Sequence, residues 1–343
     1  MKAIRIHETG GPEVMRLEEV ETPRPAWGEA LIKIAAAGVS YVDLAFRQGI
    51  YHPFTGLPIT LGSEVAGTIA ALGPGVTTPA VGTRVIALVH GGYAEYAVAN
   101  ITTLLPIPEN LNFARAAAFL VNGTIAYQTL RESGRLQAGE NVLIHAAAGG
   151  VGTLAIQFAR RMGAGKVIGT ASTENKLNLI RHLGADASID YTQKDWVEQL
   201  KRVTDGRGAD IILDGVGGKI AEQSLQCLAP LGRMVVIGAA SGQPAQFTGL
   251  QLMIKSQSVV GYWLTKWSNH PAHPLTAATE ELLRFLASDR LQIIIGQTFP
   301  LAEAAEAHRA IAERQTTGKV VLLVDMFDIA GQSREKTFLT KEA

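Results

Sequence analysis

Val142-Leu143-Ile144-His145-Ala146-Ala147-Ala148-Gly149-Gly150-Val151-Gly152, continued by Leu154-Ala155-Ile156-Gln157-Phe158-Ala159-Arg160, reads in order as a buried strand, a glycine turn and an amphipathic helix. A dinucleotide-binding turn needs that order. Glycines let the backbone bend tightly and come close to a pyrophosphate. The helix N-terminus beyond them offers free N–H groups at the positive end of its dipole. Ala148, Gly149, Gly150, Val151 and Gly152 are therefore the expected phosphate contacts.

Downstream of the turn, strand and helix alternate. The turn's own helix covers Val151 to Met162. Lys166 to Thr170 precedes a helix over Glu174 to Leu183, and Ala187 to Asp190 precedes one over Lys194 to Val203. Asp210 to Asp214 precedes a helix over Ile220 to Leu228, and Arg233 to Ile237 closes on Gly238. That rhythm predicts a parallel, doubly wound sheet with right-handed crossovers.

Upstream, short β signals such as Ala30 to Ala35 and Tyr93 to Val98 are separated by turns at Gly10-Gly11-Pro12, Gly73-Pro74-Gly75 and Gly91-Gly92. Many short strands without long helices between them predict a partly open β-barrel. Its one helical exception is Tyr41 to Arg47. After Val259-Val260-Gly261, helices at Thr276 to Ala287 and Leu301 to Thr316 and a strand at Val320 to Val324 are expected to pack back on the first domain. The expected division is a barrel domain over 1–121, a nucleotide-binding domain over 122–262, a return to the barrel domain over 263–325, and a polar tail over 326–343.

Bulk properties narrow the class. A chain of 343 residues, 47% of them hydrophobic, suits a two-domain soluble protein. Its formal net charge of +0 gives no basic field for nucleic acid. No apolar run is long enough to span a bilayer, and the N-terminus lacks the features of a signal peptide. Cys227, the single cysteine, excludes internal disulfides and cysteine-rich zinc clusters. A cytoplasmic location is expected.

The choice of dinucleotide turns on the end of the second strand, about 20 residues past the turn, where an acidic residue would grip a ribose 2′-hydroxyl. The segment Gly169-Thr170-Ala171-Ser172-Thr173-Glu174-Asn175-Lys176 has Ala171 there. A carboxylate would repel a 2′-phosphate, whereas Ser172 and Lys176 can donate to one. NADPH is expected over NADH, with Thr170, Ser172 and Lys176 at its adenosine end. The competing reading makes Ser172 an N-cap and Lys176 an exposed residue of the first helical turn.

Gly139-Glu140 with Leu143, Ala147-Ala148-Gly149-Gly150, Gly152, Gln157 and Arg160 resembles the signature of the quinone oxidoreductase branch of the medium-chain dehydrogenases. The resemblance runs from Met1 to about Asp325 and includes Gly62-Ser63-Glu64-Val65-Ala66-Gly67 and Gly261-Tyr262-Trp263-Leu264. It implies a GroES-like barrel plus a Rossmann domain, a cleft between them, and a homodimer or homotetramer. It also implies that Asn122 and Thr124 lie near the nicotinamide and Tyr191 near the adenine phosphate, while Tyr262, Trp263 and Leu264, within Gly261 to Trp267, resemble the segment near the nicotinamide in the related enoyl thioester reductases. Gly238 and Ala239, after the fifth strand, join the expected cofactor contacts.

The departure from the zinc alcohol dehydrogenases bears on the chemistry. Where those relatives carry zinc ligands, this sequence has Ser40, Ser63 and Leu120, and the four-cysteine structural lobe is absent. Catalytic zinc needs about three N, S or O protein ligands, which Glu64 alone cannot supply. No metal is expected. Reduction of a simple ketone localises charge on one oxygen and calls for a Lewis acid or strong proton donor. A quinone or α,β-unsaturated carbonyl spreads that charge, so modest hydrogen-bond donors suffice. Candidate donors are Ser40, Tyr51 and Thr124. Tyr51 resembles the tyrosine assigned as proton donor in related enoyl thioester reductases. Asp43 and Glu64 are expected to organise barrel loops, and His145 to be structural.

The sequence thus predicts an NADPH-dependent, zinc-independent oxidoreductase that reduces quinones or similarly conjugated small-molecule carbonyls. Enoyl thioester reduction and non-catalytic NADPH binding stay open beside it.

Overall fold

The computed structural model describes residues 1–50, 56–268, 270, 275–287 and 291–324. Tyr51 and the 326–343 tail lie outside the described residues.

Strand β1 (Lys2–Ile6) pairs antiparallel with β2 (Met15–Glu19). The long β3 (Glu29–Val39) buries Ala30, Ile32 and Ile34 while Lys33 between them is exposed, the period-two pattern of a half-covered strand. It runs into helix α1 (Tyr41–Arg47), whose bounds match the expectation. The Asp43 carboxylate accepts the Ser40 backbone N–H at 2.8 Å and closes the first turn as a capping box. Then follow β4 (Ile59–Thr60), β5 (Glu64–Leu72), β6 (Arg84–Leu88), β7 (Tyr96–Asn100) and β8 (Leu105–Pro106). The barrel is organised on β3, which pairs antiparallel with both β5 and β7.

Helices α2 (Phe113–Ala117) and α3 (Leu120–Gln128) lead out of the barrel, and α3 ends in a π-helical turn over Thr129–Ser133. The expected alternation follows: β9 (Val142–Ile144), α4 (Gly150–Arg161), β10 (Val167–Ala171), α5 (Glu174–His182), β11 (Ala187–Asp190), α6 (Trp196–Val203), β12 (Ala209–Asp214), α7 (Gly218–Cys227) and β13 (Leu228–Val236). After a short helix α8 (Gly249–Ile254), β14 (Ser258–Gly261) completes the sheet. The order β11-β10-β9-β12-β13-β14 is parallel throughout. β9 and β10 are neighbours and the chain then crosses to β12 on the other side of β9. That reversal opens the ligand crevice of a doubly wound sheet at the carboxyl end of β9. The fold is a Rossmann sheet joined to a β-barrel domain.

Helix α8 escaped the sequence reading. Its Leu250, Met253 and Ile254 are 63%, 68% and 71% exposed, so no buried face imposes a helical period on the segment.

The last part divides. Helices α9 (Leu264–Ser268) and α10 (Leu275–Ala287) stay beside the Rossmann domain: α10 packs on α3, and Phe285 meets Phe158 of α4 at 5.1 Å between ring centroids. Strand β15 (Ile295–Pro300), helix α11 (Ala304–Ala312) and strand β16 (Lys319–Leu323) return to the barrel, where β16 pairs antiparallel with β3 and α11 packs on β15 and β16.

Candidate active site

The glycine turn is placed as expected, but two of its glycines act differently from the expectation. The left-handed bend falls at Ala146, with φ of 49°, and none of Gly149, Gly150 and Gly152 has a positive φ. Close approach is what requires them. A Cβ on Gly150 would lie 2.3 Å from the Asn122 side-chain nitrogen, and one on Gly152 would lie 2.5 Å from the Ala147 Cα. Gly152 lets α4 sit against the end of β9, and Gly150 leaves room for the buried Asn122 amide. The start of α4 therefore presents free N–H groups to the crevice, an anion site built of backbone.

The barrel closes over this turn through its last strand. The Gly318 backbone N–H donates to the Ala148 carbonyl at 2.7 Å, in register with a bridge between Gly149 and Gly318. Tyr41, at the start of α1, donates its hydroxyl to the Ala240 carbonyl at 3.3 Å and ties the barrel to the loop after β13. Between these two ties lies a cleft of about 360 Å³. Its walls bring together Ser40, Asn122, Ala148, Gly149, Gly150, Val151, Gly152, Ser172, Lys176, Tyr191, Gly238, Ala239 and Trp263. Beside Trp263 a second recess of about 720 Å³ opens, lined by Phe247, Trp267 and His270 among others.

Four expected site residues fall elsewhere. Thr170 is buried, with its hydroxyl 2.9 Å from His145 Nδ1. Thr124 is buried in α3, and its Oγ1 has no hydrogen-bond partner. Tyr262 lines the second recess rather than the cleft and donates its hydroxyl to Gln128 Oε1 at 2.6 Å. Leu264 packs against the Rossmann core. Tyr51 lies outside the described residues.

At one end of the cleft, Lys176 and Arg314 meet. Lys176 Nζ donates to the Arg314 carbonyl at 2.6 Å, and burial, with the neighbouring Arg314 charge, holds its pKa below the ordinary lysine value. Ser172 and Tyr191 complete this end. The N-cap of α5 is Thr173 rather than Ser172, which leaves Ser172 to the cleft wall. Two cations beside one recess repel each other, and an anion between them relieves that repulsion.

At the other end, the zinc-ligand positions of the alcohol dehydrogenases carry a network of a different kind. Glu64 is fully buried; Oε1 accepts the Val121 N–H at 2.8 Å, and Oε2 lies 3.0 Å from Lys319 Nζ as an ion pair. Lys319 Nζ also donates to Ser40 Oγ at 2.7 Å. Leu120 is buried in the core. Behind Ser40, Asp43 accepts from Ser63 Oγ at 3.4 Å and from the Tyr93 hydroxyl at 3.1 Å. His308 Nε2 stands 3.2 Å from that hydroxyl and Nδ1 3.3 Å from the Arg47 guanidinium. Tyr93 gives its one proton to Asp43, so His308 donates through Nε2 and accepts from Arg47 at Nδ1, as a neutral ring. Burial raises Asp43 to about 6 against the pull of its hydrogen bonds and of Lys319. Burial, helped by Arg47, lowers His308 to about 3. Asp43 and Glu64 are thus organisers of the barrel loops, as expected.

His145 is structural as well. Ser224 gives its proton to the Ile220 carbonyl at 2.7 Å, so it accepts from His145 Nε2 at 2.9 Å, and Thr170 donates to Nδ1. Burial lowers this ring to about 4.

Sequence reasoning missed Arg314 and Lys319. The available signal was Gly318-Lys319 at the head of an otherwise apolar strand, a cation where the pattern calls for a core residue.

A cleft between a Rossmann crevice and a small barrel defines a class: two-domain oxidoreductases that hold a dinucleotide between the domains. Comparison with known proteins agrees. Residues 26–109 match the family described as alcohol dehydrogenase GroES-like domain, and 150–287 that described as zinc-binding dehydrogenase. The quinone oxidoreductase of Pseudomonas aeruginosa is 38% identical over 94% of this chain and 99% of its own. The solved Escherichia coli quinone oxidoreductase complexed with NADPH superposes with a TM-score of 0.89 at 33% identity, over 94% of this chain and all of that one. A mycobacterial protein complexed with NADPH matches at a TM-score of 0.89 and 36% identity over the same share of this chain. The chain belongs to the quinone oxidoreductase branch of the medium-chain dehydrogenase/reductase superfamily.

Proposed function

We propose that this protein transfers hydride from NADPH to quinones or similarly conjugated carbonyls, and that it does so without zinc. It is an NADPH-dependent oxidoreductase by family and by the fit of its cleft. The crevice at α4 offers the free N–H groups of that helix's first turn to a pyrophosphate, and Lys176, Arg314, Ser172 and Tyr191 suit a 2′-phosphate. Bound there, NADPH supplies hydride from C4 of its nicotinamide ring. The chain's own residues hold the phosphates, direct the nicotinamide toward Gly238, Ala239 and Trp263, and donate hydrogen bonds to the acceptor from the barrel side.

The observation that carries the choice of acceptor is the Lys319 ammonium 3.0 Å from Glu64. Glu64, the carboxylate beside the zinc-ligand position Ser63, is already engaged by a cation, and a divalent metal there would meet a like charge at contact distance. Hydroxyl and ammonium donors remain, which match a delocalised rather than a localised negative charge. Enoyl thioester reduction rests on Tyr51, which lies outside the described residues, and on the Tyr262-Trp263 segment, of which Trp263 lines the cleft.

The test is NADPH oxidation by chelator-treated protein across a panel of quinones, cyclic enones and crotonyl thioester. Turnover with quinones or enones, unchanged by chelation, is expected. Absence of turnover with all of them, or activity that returns only with added zinc, overturns the reading.

We further propose a homodimer formed through β14. That strand ends the sheet, and beside it α8 and Leu231 present exposed apolar side chains, with Leu231 72% exposed. The Leu231 N–H donates to the Lys255 carbonyl at 3.0 Å, so the two segments form one surface. A second copy of the same face satisfies both the open strand edge and the apolar helix.

A further inference from the structure

Lys319 is 97% buried, yet its side chain reaches the cleft wall, between a carboxylate and a serine hydroxyl. An ammonium in that position is costly to desolvate unless its N–H groups are used. Glu64 pairs with it at 3.0 Å, and Glu64 is itself fixed by the Val121 N–H. The other contact matters more. By donating to Ser40 Oγ at 2.7 Å, Lys319 occupies a lone pair of that oxygen and leaves the hydroxyl proton free to be donated. Ser40 is only half-buried and lines the cleft. Its backbone is held in turn, since its N–H is locked on Asp43 at 2.8 Å.

We propose that Ser40 and Lys319 form the proton-delivering pair of the cleft, Ser40 touching the oxygen of the bound acceptor and Lys319 supplying the proton behind it. The inference rests on the reading that this cleft reduces conjugated carbonyls. The acceptor gains a hydride, two electrons and one hydrogen, from the dihydronicotinamide, which is oxidised. Its carbonyl oxygen takes the Ser40 proton as negative charge develops there. The Ser40 oxygen takes a proton from the Lys319 ammonium, and water returns one to the resulting amine. Ser40 is then a catalytic residue, and Lys319, acting through it, a positioning and proton-supplying one. Glu64 holds the Lys319 side chain in place at 3.0 Å.

The alternatives are that Lys319 is a strut joining β16, β5 and the start of α1, or that it binds a cofactor phosphate. The experiment separates them with Ser40→Ala, Lys319→Met and Lys319→Ala in the full-length protein, assayed with NADPH, a naphthoquinone and a cyclic enone. Each variant is expected to lower kcat about 100-fold or more with the enone, the range of a lost general acid. The Ser40→Ala/Lys319→Met double variant should be little worse than either single one, because the two act as a unit. Ethylammonium should restore part of the Lys319→Ala rate, which no structural role predicts. The Kd for NADPH, read by fluorescence, should change less than about threefold. Ser40→Ala leaves the Lys319–Glu64 pair in place and remains informative if a Lys319 variant fails to fold.

Rates within about threefold of the parent in Ser40→Ala overturn the proposal. So does a Kd for NADPH raised tenfold in Lys319→Met with kcat unchanged, which makes Lys319 a cofactor ligand. A parent protein inactive with every conjugated acceptor is a separate outcome: it defeats the functional reading itself, and this inference with it.

Discussion

At the scale of single residues, the proposed preference for NADPH rests on the two cations at the Lys176 end of the cleft. Lys176 donates to the Arg314 carbonyl, and burial, with the Arg314 charge beside it, lowers its proton affinity. A 2′-phosphate brought between them would restore both charges to a favourable setting, whereas the 2′-hydroxyl of NADH offers no such gain. Lys176→Ala is therefore expected to weaken NADPH binding by about 1–3 kcal/mol, the span of a charge-assisted contact, with a much smaller effect on NADH. Arg314→Ala should do the same. Titrations of both cofactors against both variants check this, and equal losses for NADPH and NADH would refute the phosphate role. Half of this site was legible beforehand: the non-acidic Ala171 with Ser172 and Lys176 pointed to a phosphorylated cofactor. Arg314 was not, because 138 residues separate it from Lys176 and no local pattern joins them. Thr170 shows the converse. Its place at a strand end suggested a ligand contact, but a buried histidine beside it needed a donor more.

At the scale of the element, the carboxyl end of β9 leads straight into a buried titratable side chain, His145. His145 is held neutral by burial, with Thr170 and Ser224 on its two nitrogens and Trp196 edge-on at 5.5 Å. Its folded pKa of about 4 lies below the ordinary histidine value of 6.5. As pH falls below 6.5 the unfolded chain takes up a proton that the folded one refuses, so stability present above 6.5 is lost on the way down to about 4. The full loss is on the order of 3 kcal/mol. His308, lowered to about 3 in the barrel, adds to the same slope. Asp43 opposes them: raised from 3.8 to about 6, it binds its proton more tightly when folded and gains stability as pH falls through that window. His145→Asn keeps hydrogen-bonding capacity and removes the titration. Urea unfolding between pH 7 and pH 4 should show the acid slope reduced by about one proton, or ~1.4 kcal/mol per pH unit. A variant with the parent's slope would mean that His145 takes up its proton in the fold. Strand β9 itself was plain in the sequence, as was the alternation around it, because buried parallel strands are continuous apolar runs. The partners of His145 were not, since they come from β10 and α7.

At the scale of the whole molecule, the sequence conveyed the architecture better than the assembly. Barrel, Rossmann sheet and returning strand each announce themselves through periodicity and turns, while α8 has no buried face to mark it. In the proposed dimer a second copy would supply what that helix lacks in the monomer. Two β14 edges related by a twofold axis would run antiparallel and extend the parallel sheet across the interface, with Leu250, Met253 and Ile254 of each copy covering the other's. A charge at the centre of such a face has neither water nor partner. Ile254→Glu, with Met253→Glu as an independent probe, should therefore convert the dimer to monomer at micromolar concentration, read by analytical ultracentrifugation. The glycine turn lies on the opposite side of β9 from this edge, so NADPH affinity should be retained in the monomeric variants. Activity is a finer matter, because Trp263, directly after β14, lines the cleft. Loss of the partner frees the strand that positions this indole, so the monomer should show a raised KM for the acceptor with the Kd for NADPH unchanged. A parent protein that sediments as a monomer, or an Ile254→Glu variant that stays dimeric, would place the interface elsewhere.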